Sequence, residues 1–583
     1  MTIAGVGICC GLTQGGTTVA YAHYGFHVLT AVSFLQLKTS SLKPLTLFML
    51  LVFACAVAGS YVMGAALPLK GPVIPFLFTY VGVMFSAPSF LAHSVEQQKW
   101  GQKMSHFQVE LLLPVFSVAF EYMHARIFPY RSFGTLPYTQ YGQTATMQLA
   151  SIGGIWLIEF FVAYMSSMAA TVVWNASSDP KKAASSGRRL LLLFASVQLF
   201  GGWRLRALSW EGAFKAIDTP SVRVAGVWVP NTMVVREQLL RHHLGLIMDG
   251  REGPGDEWAA EGWQDIVRWS LEDYDAAEAA IAREAKAGAK VVMFPELCLV
   301  TFGGAGVDDD RVSTEALLNR VAAAAEENNV WVGMGVGIND PFIKVEGLSK
   351  FTTVVLELGE EGMTGVESNR FMLFAPKSVG KDAFDEAING LQLHENIRID
   401  YRKRNPVDII ETPFGIEGNA TVPIASADLL GDGNDVQVGS VICFDMESPW
   451  HVRQLSKASV ILNPSYDWPG LNPYHARIVA FRAIETGTSI YHHCQAGTTA
   501  AVDYLGNMIS MSDFFSDSGI DGKGQCVPHH PEQRCEPPVN VAQLPLKGVW
   551  TVYGLVGDVL PFACVLLTGG ALAAVRGGKG KRD

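Results

Sequence analysis

At 583 residues the chain is too long for one ordinary domain, and 49% hydrophobic with 17% charged residues is an unusual balance for a water-soluble protein. A net charge of −11, with no basic stripe interleaved with aromatics, gives no support for a nucleic-acid partner. Nine cysteines spread over this length are not a disulfide scaffold.

The averages hide a split. Residues 1–210 are mostly apolar and read as a multi-span α-helical membrane domain. A spanning helix needs about twenty apolar residues. Candidates lie at roughly 18–37, 45–66, 72–93, 108–128, 148–174 and 190–209, and residues 1–17 are a Gly-rich apolar stretch that could add to them. That first stretch lacks a basic leading region, so it is not expected to be a cleaved signal peptide. Glu121 falls inside the fourth candidate, just before His124 and Arg126. A carboxylate there either locks neighbouring spans together or serves a function in a wet cavity.

Lys38 and Lys43, then Lys99 and Lys103, then Lys181, Lys182, Arg188 and Arg189 fall in alternate loops, whereas the opposite loops hold little beyond Lys70 and Arg131. By the positive-inside rule the basic loops face the cytoplasm. The chain from residue 220 onward then lies on the extracytoplasmic side: periplasmic in a bacterium, luminal or external in a eukaryote.

Residues 220–545 read as an α/β domain of alternating strands and helices. Strands are expected at 221–229, 290–296, 330–338, 352–358, 435–444 and 459–465, and in the pair "SIYHHCQAG" and "TAAVDYLGNMIS". Helices are expected at 274–289, at 313–328 with a cap at Ser313, at 448–458 and at 473–487. Residues 550–583 hold a closing span near 552–575 and a basic tail that returns to the cytoplasm.

Three chemically active side chains sit where extended segments end: Glu296, Lys403 and Cys443. Only a thiolate attacks carbonyls well, a carboxylate can take the thiol proton, and an ammonium can stabilise thiolate and oxyanion. Residue types alone leave Cys443 as either a buried core thiol or a nucleophile. His492, His493 and Cys494 look like metal ligands, but adjacent strand residues point to opposite faces, which speaks against a shared ion. On the extracytoplasmic side a disulfide between Cys526 and Cys535 is permitted.

The local motifs are more specific. "VVMFPELCL", "YRKRNPVD" and "GSVICFDMESPW", in this order, with "ILNPSYDWPGLNPYHARIVAFRAIETGTSIYHHCQAG" downstream, resemble the carbon–nitrogen hydrolase (nitrilase) superfamily over about 221–515. The resemblance implies a four-layer α-β-β-α sandwich with Glu296 as general base, Lys403 as the triad lysine and Cys443 as nucleophile. Several spans, then such a domain, then one closing span resemble the apolipoprotein N-acyltransferase family, as do "EYMHARIFP", "YGQTATMQLASIGGIWLIEFF" and "WTVYGLVGDVLP".

That family transfers a fatty acyl chain from a phospholipid to the N-terminal cysteine of a lipoprotein through a cysteine thioester. No metal or organic cofactor is needed for this chemistry. Matched by position, Glu411 is the family's second glutamate near the triad. Tyr401, Phe444, Asp445 and His475 are supporting or substrate-contacting candidates. "FPELCL" and Asp445 depart towards soluble amidases, so a membrane-bound amidase acting on a small C–N substrate is the alternative. Residues 516–546 look like an insertion.

Overall fold

The computed structural model describes residues 2–12, 19–37, 41–64, 73–128, 130–209, 220–229, 256–302, 313–340, 366–377, 396–406, 418, 421–467, 472–495, 497–512, 539–546 and 548–579. In the amino-terminal part the helices are α1 (Thr2–Leu12), α2 (Ala20–Gln36), α3 (Pro44–Gly64), α4 (Val73–Glu96), α5 (Leu112–Ile127), α6 (Ile155–Asn175) and α7 (Pro180–Ala207). By length and composition, two of the described helices can cross a membrane unaided: Ile155–Asn175, and Val559–Arg576 near the carboxyl end. Pro44–Gly59 is a shorter apolar segment.

Three expectations for this part change. The segment 108–128 is not one helix: a capped turn of helix, His106–Glu110, ends at Leu111 and α5 follows. The segment 148–174 breaks at Gly154, whose φ of +67° suits glycine and whose Cβ, if present, would meet Tyr553 ring carbons at 2.7–3.0 Å. Lys181, Lys182, Arg188 and Arg189 are not in a loop. They belong to α7, which begins ten residues earlier than expected because Asp179 caps it by accepting Lys182 N–H and Pro180 fills its first position. Arg189 pairs with buried Glu110 at 2.5 Å, anchoring that end of α7.

The α/β part holds two sheets. One runs in the order β13 (Val539–Pro545), β1 (Ser221–Val227), β2 (Val291–Met293), β4 (Trp331–Asp340), β5 (Val366–Phe374), β6 (Ile397–Arg402), with β3 (Leu299–Phe302) also on β4. The other runs β12 (Met508–Ser512), β11 (Thr499–Val502), β10 (Ser489–Gln495), β9 (Val460–Tyr466), β8 (Val436–Ser440), β7 (Ile424–Ala427).

The central pairings, β1 with β2, β2 with β4, β8 with β9 and β9 with β10, are parallel, which explains strands that are apolar on both faces. The period-2 alternation then divides each strand between two cores. Val460 and Leu462 face the first sheet, while Ile461 faces away from it. Val291 and Met293 face the second sheet, while Val292 packs on the helices α8 (Asp256–Lys286) and α9 (Thr314–Glu327).

The helix α10 (Tyr474–Thr486) covers the other side of the second sheet through Ile478, Phe481 and Ile484. The layers are therefore α-β-β-α. The same outer core continues into the amino-terminal helices through Val118, Trp156 and Phe161, and into Tyr553 ahead of the last helix, α11 (Val559–Lys579).

Differences in the α/β part arise at turns. "TAAVDYLGNMIS" is two strands, because Asp503 accepts the N–H groups of Leu505 and Asn507 and Gly506 takes φ +83°, closing a hairpin. The 448–458 helix is a short α-turn, Pro449–Val452, followed by a 3₁₀ turn, Arg453–Leu455. The supposed insertion 516–546 includes β13, which pairs antiparallel with β1 along its whole length. The expected strand 352–358 lies outside the described residues.

Candidate active site

Strand β2 stops at Met293, and the chain turns through Phe294 and Pro295 to Glu296, followed by Leu297 at φ +52°. Glycine is required at position 335 on the neighbouring β4, because a Cβ there would collide with the Pro295 carbonyl and approach Glu296 Cα to 2.6 Å. Strand β6 likewise stops at Arg402, so Lys403 is the first residue past its end, and its N–H is bonded to Asn369 O at 2.9 Å. Across this gap Lys403 Nζ donates to Glu296 Oε1 at 2.8 Å, and Asn369 Nδ2 donates to the same oxygen at 2.6 Å. Both Glu296 and Lys403 are buried.

Cys443 is not in the strand that was expected to carry it. Strand β8 ends at Ser440, and Cys443 opens a 3₁₀ turn, Cys443–Glu447, at φ +43°. A non-glycine residue in the left-handed region is uncommon and is held there by its surroundings. Asp445 supplies much of that hold. It accepts from Ile442 N–H (3.2 Å), Tyr401 OH (2.8 Å), Asn405 N–H (2.8 Å) and Asn405 Nδ2 (2.8 Å). One carboxylate thus ties the turn of Cys443 to the segment that carries Lys403.

Tyr401 OH also meets His451 Nε2 at 2.9 Å. Asp445 and Tyr401 are therefore framework groups in this structure, and Phe444 packs in the core between the two sheets. Glu411 lies outside the described residues.

Two further side chains, His475 and Asp467, stand close to the thiol. His475, at the start of α10, bonds Asp467 Oδ1 through Nδ1 at 2.8 Å, and with Cys443 these side chains bring their ligand-type atoms within 4.8 Å of one another. Burial disfavours charge on both, but each stabilises the other's, and the Asp467 carboxylate, with help from Glu447 and Glu296, raises the His475 pKa. Asp467 is correspondingly held below its usual range. The Glu296 carboxylate adds to the negative field at His475. Cys443 Sγ itself lies 3.6 Å from Tyr466 O. The signal for Asp467 was its place one residue past strand β9, as Lys403 stands past β6. Nothing in the local sequence marks Asn369.

His492 and Cys494, two apart on β10, do share a face, and with Asp467 form a second compact group. His493 points the other way, to Val227 O at 3.0 Å, as strand alternation demands. Burial pushes His492 down to about 3. Its Nδ1 meets Asn463 Oδ1 at 2.6 Å, a core arrangement. Cys526 and Cys535 lie outside the described residues, and none of the seven described cysteines forms a disulfide.

A family model described as carbon-nitrogen hydrolase matches residues 265–520, and one described as apolipoprotein N-acyltransferase N-terminal domain matches residues 15–168. The apolipoprotein N-acyltransferase of Nitrosomonas europaea is 28% identical over 178 residues, which cover 29% of this chain and 31% of that protein. Over these matched regions the chain resembles the carbon–nitrogen hydrolase superfamily and is apolipoprotein N-acyltransferase-like. It spans about a third of the length of that curated relative. Among solved structures, an amidase from Nesterenkonia sp. is 14% identical with a TM-score of 0.33, covering 57% of this chain and 93% of that one. The NitN amidase of strain AN1 is also 14% identical, with a TM-score of 0.31, covering 58% and 95%.

In this acyltransferase-like chain the two matched regions meet directly behind Cys443. Ser132 donates to the Cys443 turn twice: its N–H and its hydroxyl both reach Glu447 O, at 3.0 and 2.7 Å. Arg482 of α10 donates to Met446 O at 2.7 Å and is bonded to Glu485 and Tyr138. Glu485 in turn accepts Ile155 N–H at 2.8 Å, at the start of α6. Burial pushes the Glu447 carboxyl up to about 7, against the charges of His475 and Arg482. Glu121 is a loop lock: both its oxygens accept Leu136 N–H, at 3.2 and 3.3 Å.

Proposed function

We propose that this chain is a membrane N-acyltransferase that moves a fatty acyl chain from a phospholipid to a free amine, the N-terminal cysteine of a lipoprotein, through a thioester on Cys443. The observation that carries the reading is the joining of two things in one chain. A buried Glu–Lys pair lies beside a strained cysteine turn, and that turn is hydrogen-bonded to a region of the acyltransferase amino-terminal type.

Glu296 takes the thiol proton of Cys443. Lys403, held at the Glu296 carboxylate, offers its ammonium to the thiolate and then to the tetrahedral oxyanion. His475, kept charged by Asp467, adds a second positive group near the sulfur, which favours thiolate. The thiolate attacks the ester carbonyl, the lysophospholipid leaves with a proton, and the acyl group stays on sulfur. The amine then attacks the thioester, loses a proton to Glu296, and departs as an amide while the thiol is restored. Water must be kept out of the second half, or the thioester is hydrolysed.

The placement in the bilayer is part of the proposal. Residues 1–210 form the spans, 220–545 the extracytoplasmic catalytic domain, and 550–583 the return through the membrane. Apolar side chains exposed on α7 and α11, among them Leu191, Leu199, Trp203, Phe562 and Leu566, support a lipid-facing surface. Both substrates are lipids and can reach the site from the bilayer.

The test uses the full chain in detergent. Incubation with an isotope-labelled phospholipid should leave one acyl mass on the Cys443 peptide, and a diacylated lipopeptide with a free amino-terminal cysteine should then remove it as an amide. No adduct, together with brisk hydrolysis of small amides, would overturn the reading in favour of the amidase.

A further inference from the structure

Away from the candidate active site, three metal-ligating side chains meet inside the helical part. His23 and His27 are four residues apart on α2 and so share one face. Glu159 of α6 reaches both, with Oε2 3.0 Å from His23 Nε2 and Oε1 3.1 Å from His27 Nε2. All three are at most 2% exposed, and their ligand atoms lie within 4.8 Å of one another. Acyl transfer makes no use of them.

The hydrogen bonds around His23 fix what its Nε2 offers. The Thr139 hydroxyl donates to Leu136 O at 2.7 Å, so its oxygen is the acceptor for His23 Nδ1 at 3.1 Å. His23 therefore carries its hydrogen on Nδ1 and turns Nε2 towards the Glu159 carboxylate. A bare lone pair facing a carboxylate oxygen in a dry interior is repulsive unless a positive charge lies between them. The buried Glu159 carboxylate therefore needs a positive partner between it and the imidazole.

We propose that His23, His27 and Glu159 bind one divalent transition-metal ion of the zinc type, which fastens α2 to α6. Two imidazoles and one carboxylate are an established zinc donor set, with a fourth position open. Bonds of about 2.0–2.1 Å to a tetrahedral ion place neighbouring donors roughly 3.3 Å apart, near the 3.0 and 3.1 Å at which each imidazole meets its own Glu159 oxygen. The Nδ1–H bond from His23 to Thr139 is the outer contact that orients a ligating imidazole. Nitrogen donors favour zinc, copper or nickel over magnesium or calcium. The competing occupant is a proton on each imidazole, giving an ion-paired cluster with no metal.

The full chain is purified in detergent without a metal-affinity step, stripped with a chelator and titrated with cobalt(II). The expected result is uptake of about one equivalent per chain, with visible bands of a tetrahedral ion, no near-ultraviolet thiolate band, and displacement by zinc. His23→Gln with His27→Gln should weaken uptake by about a hundredfold or more, while Cys443→Ser leaves it unchanged. Because the double variant can fail to fold, His27→Cys supplies a gain of signal: bound cobalt should acquire a thiolate band. Folded protein that takes up no cobalt overturns the proposal and leaves the proton-bridged cluster. A thiolate band in the unsubstituted chain also overturns it, placing the ion at Cys443 or Cys494 instead.

Discussion

Lys403 Nζ and Glu296 Oε1 are 2.8 Å apart and both side chains are withdrawn from water. Each is the other's compensating charge, so the pair cannot be cut on one side without leaving an uncompensated ion. Glu296→Gln removes the proposed base and leaves the buried Lys403 ammonium without its carboxylate, so acyl-adduct formation on Cys443 should slow by about 10²–10⁴-fold and stability should fall as well, by about 3–5 kcal/mol. Lys403→Ala strands the carboxylate and should cost about 3–5 kcal/mol of stability besides activity. Intact-mass kinetics and thermal melts read the two effects separately. A Glu296→Gln protein that acylates at the normal rate would remove Glu296 from the mechanism.

Tyr401 separates framework from chemistry. Its hydroxyl sits between Asp445 and His451, behind the turn rather than at the thiol. Tyr401→Phe should lower stability by about 1–3 kcal/mol while the acylation rate per folded molecule stays within a few-fold. Denaturant melts and burst amplitudes on the same sample make the comparison. A loss of rate without loss of stability would mean that the hydroxyl contacts substrate.

His475 should set the pH at which the thiol becomes reactive. Its pKa is raised, with Asp467 outweighing burial, so it is the charged imidazolium at and somewhat above the usual histidine range. Removing that charge in His475→Gln should move the pH midpoint of Cys443 alkylation upward by about one unit. Iodoacetamide labelling across a pH series measures this. An unmoved midpoint would reduce His475 to a structural partner of Asp467.

Glu447 makes stability depend on pH. Its folded pKa, about 7, lies above the unfolded carboxylate value, so the native state binds the extra proton between the two. Stability from this group is present below the unfolded pKa and is lost as pH rises towards 7. Glu447→Gln keeps the neutral form at every pH, so thermal melts at pH 5.5 and 8 should differ less in the variant, by on the order of a few kcal/mol. Equal pH slopes in the two proteins would show that Glu447 titrates normally.

What could be read from the chain depended on whether the signal was local. Strands buried on both faces, such as Val460–Tyr466, show as short apolar runs, and Thr314–Glu327 shows both its cap and its periodicity. Glu296 and Lys403 were singled out by the motifs "VVMFPELCL" and "YRKRNPVD", because residue type and position at the end of an extended segment are by themselves weak signals. The extent of the Cys443 strand was not legible, because the apolar run "VGSVICF" continues beyond the point where the Asp445 carboxylate bends the backbone. Strand β13 was hidden because its partner is β1, some three hundred residues earlier, and no local pattern announces that pairing. The His475–Asp467 pair required knowing how α10 lies against β9. The break at Gly154 was invisible to hydropathy, which sums over a window and does not sense one unusual φ.

The buried guanidinium of Arg482 touches Met446 O on the Cys443 turn, Tyr138 in the amino-terminal region and Glu485, which itself holds the start of α6. A crosspiece of this kind makes the two regions mechanically inseparable. Severing the chain between residues 210 and 220 would strip partners from a charge that has no route to solvent. An excised α/β fragment is thus a poor surrogate for crystallography or inhibitor screening. Chimeras that trade one helical region for another must carry over Tyr138, Ser132 and the Gly154 break together.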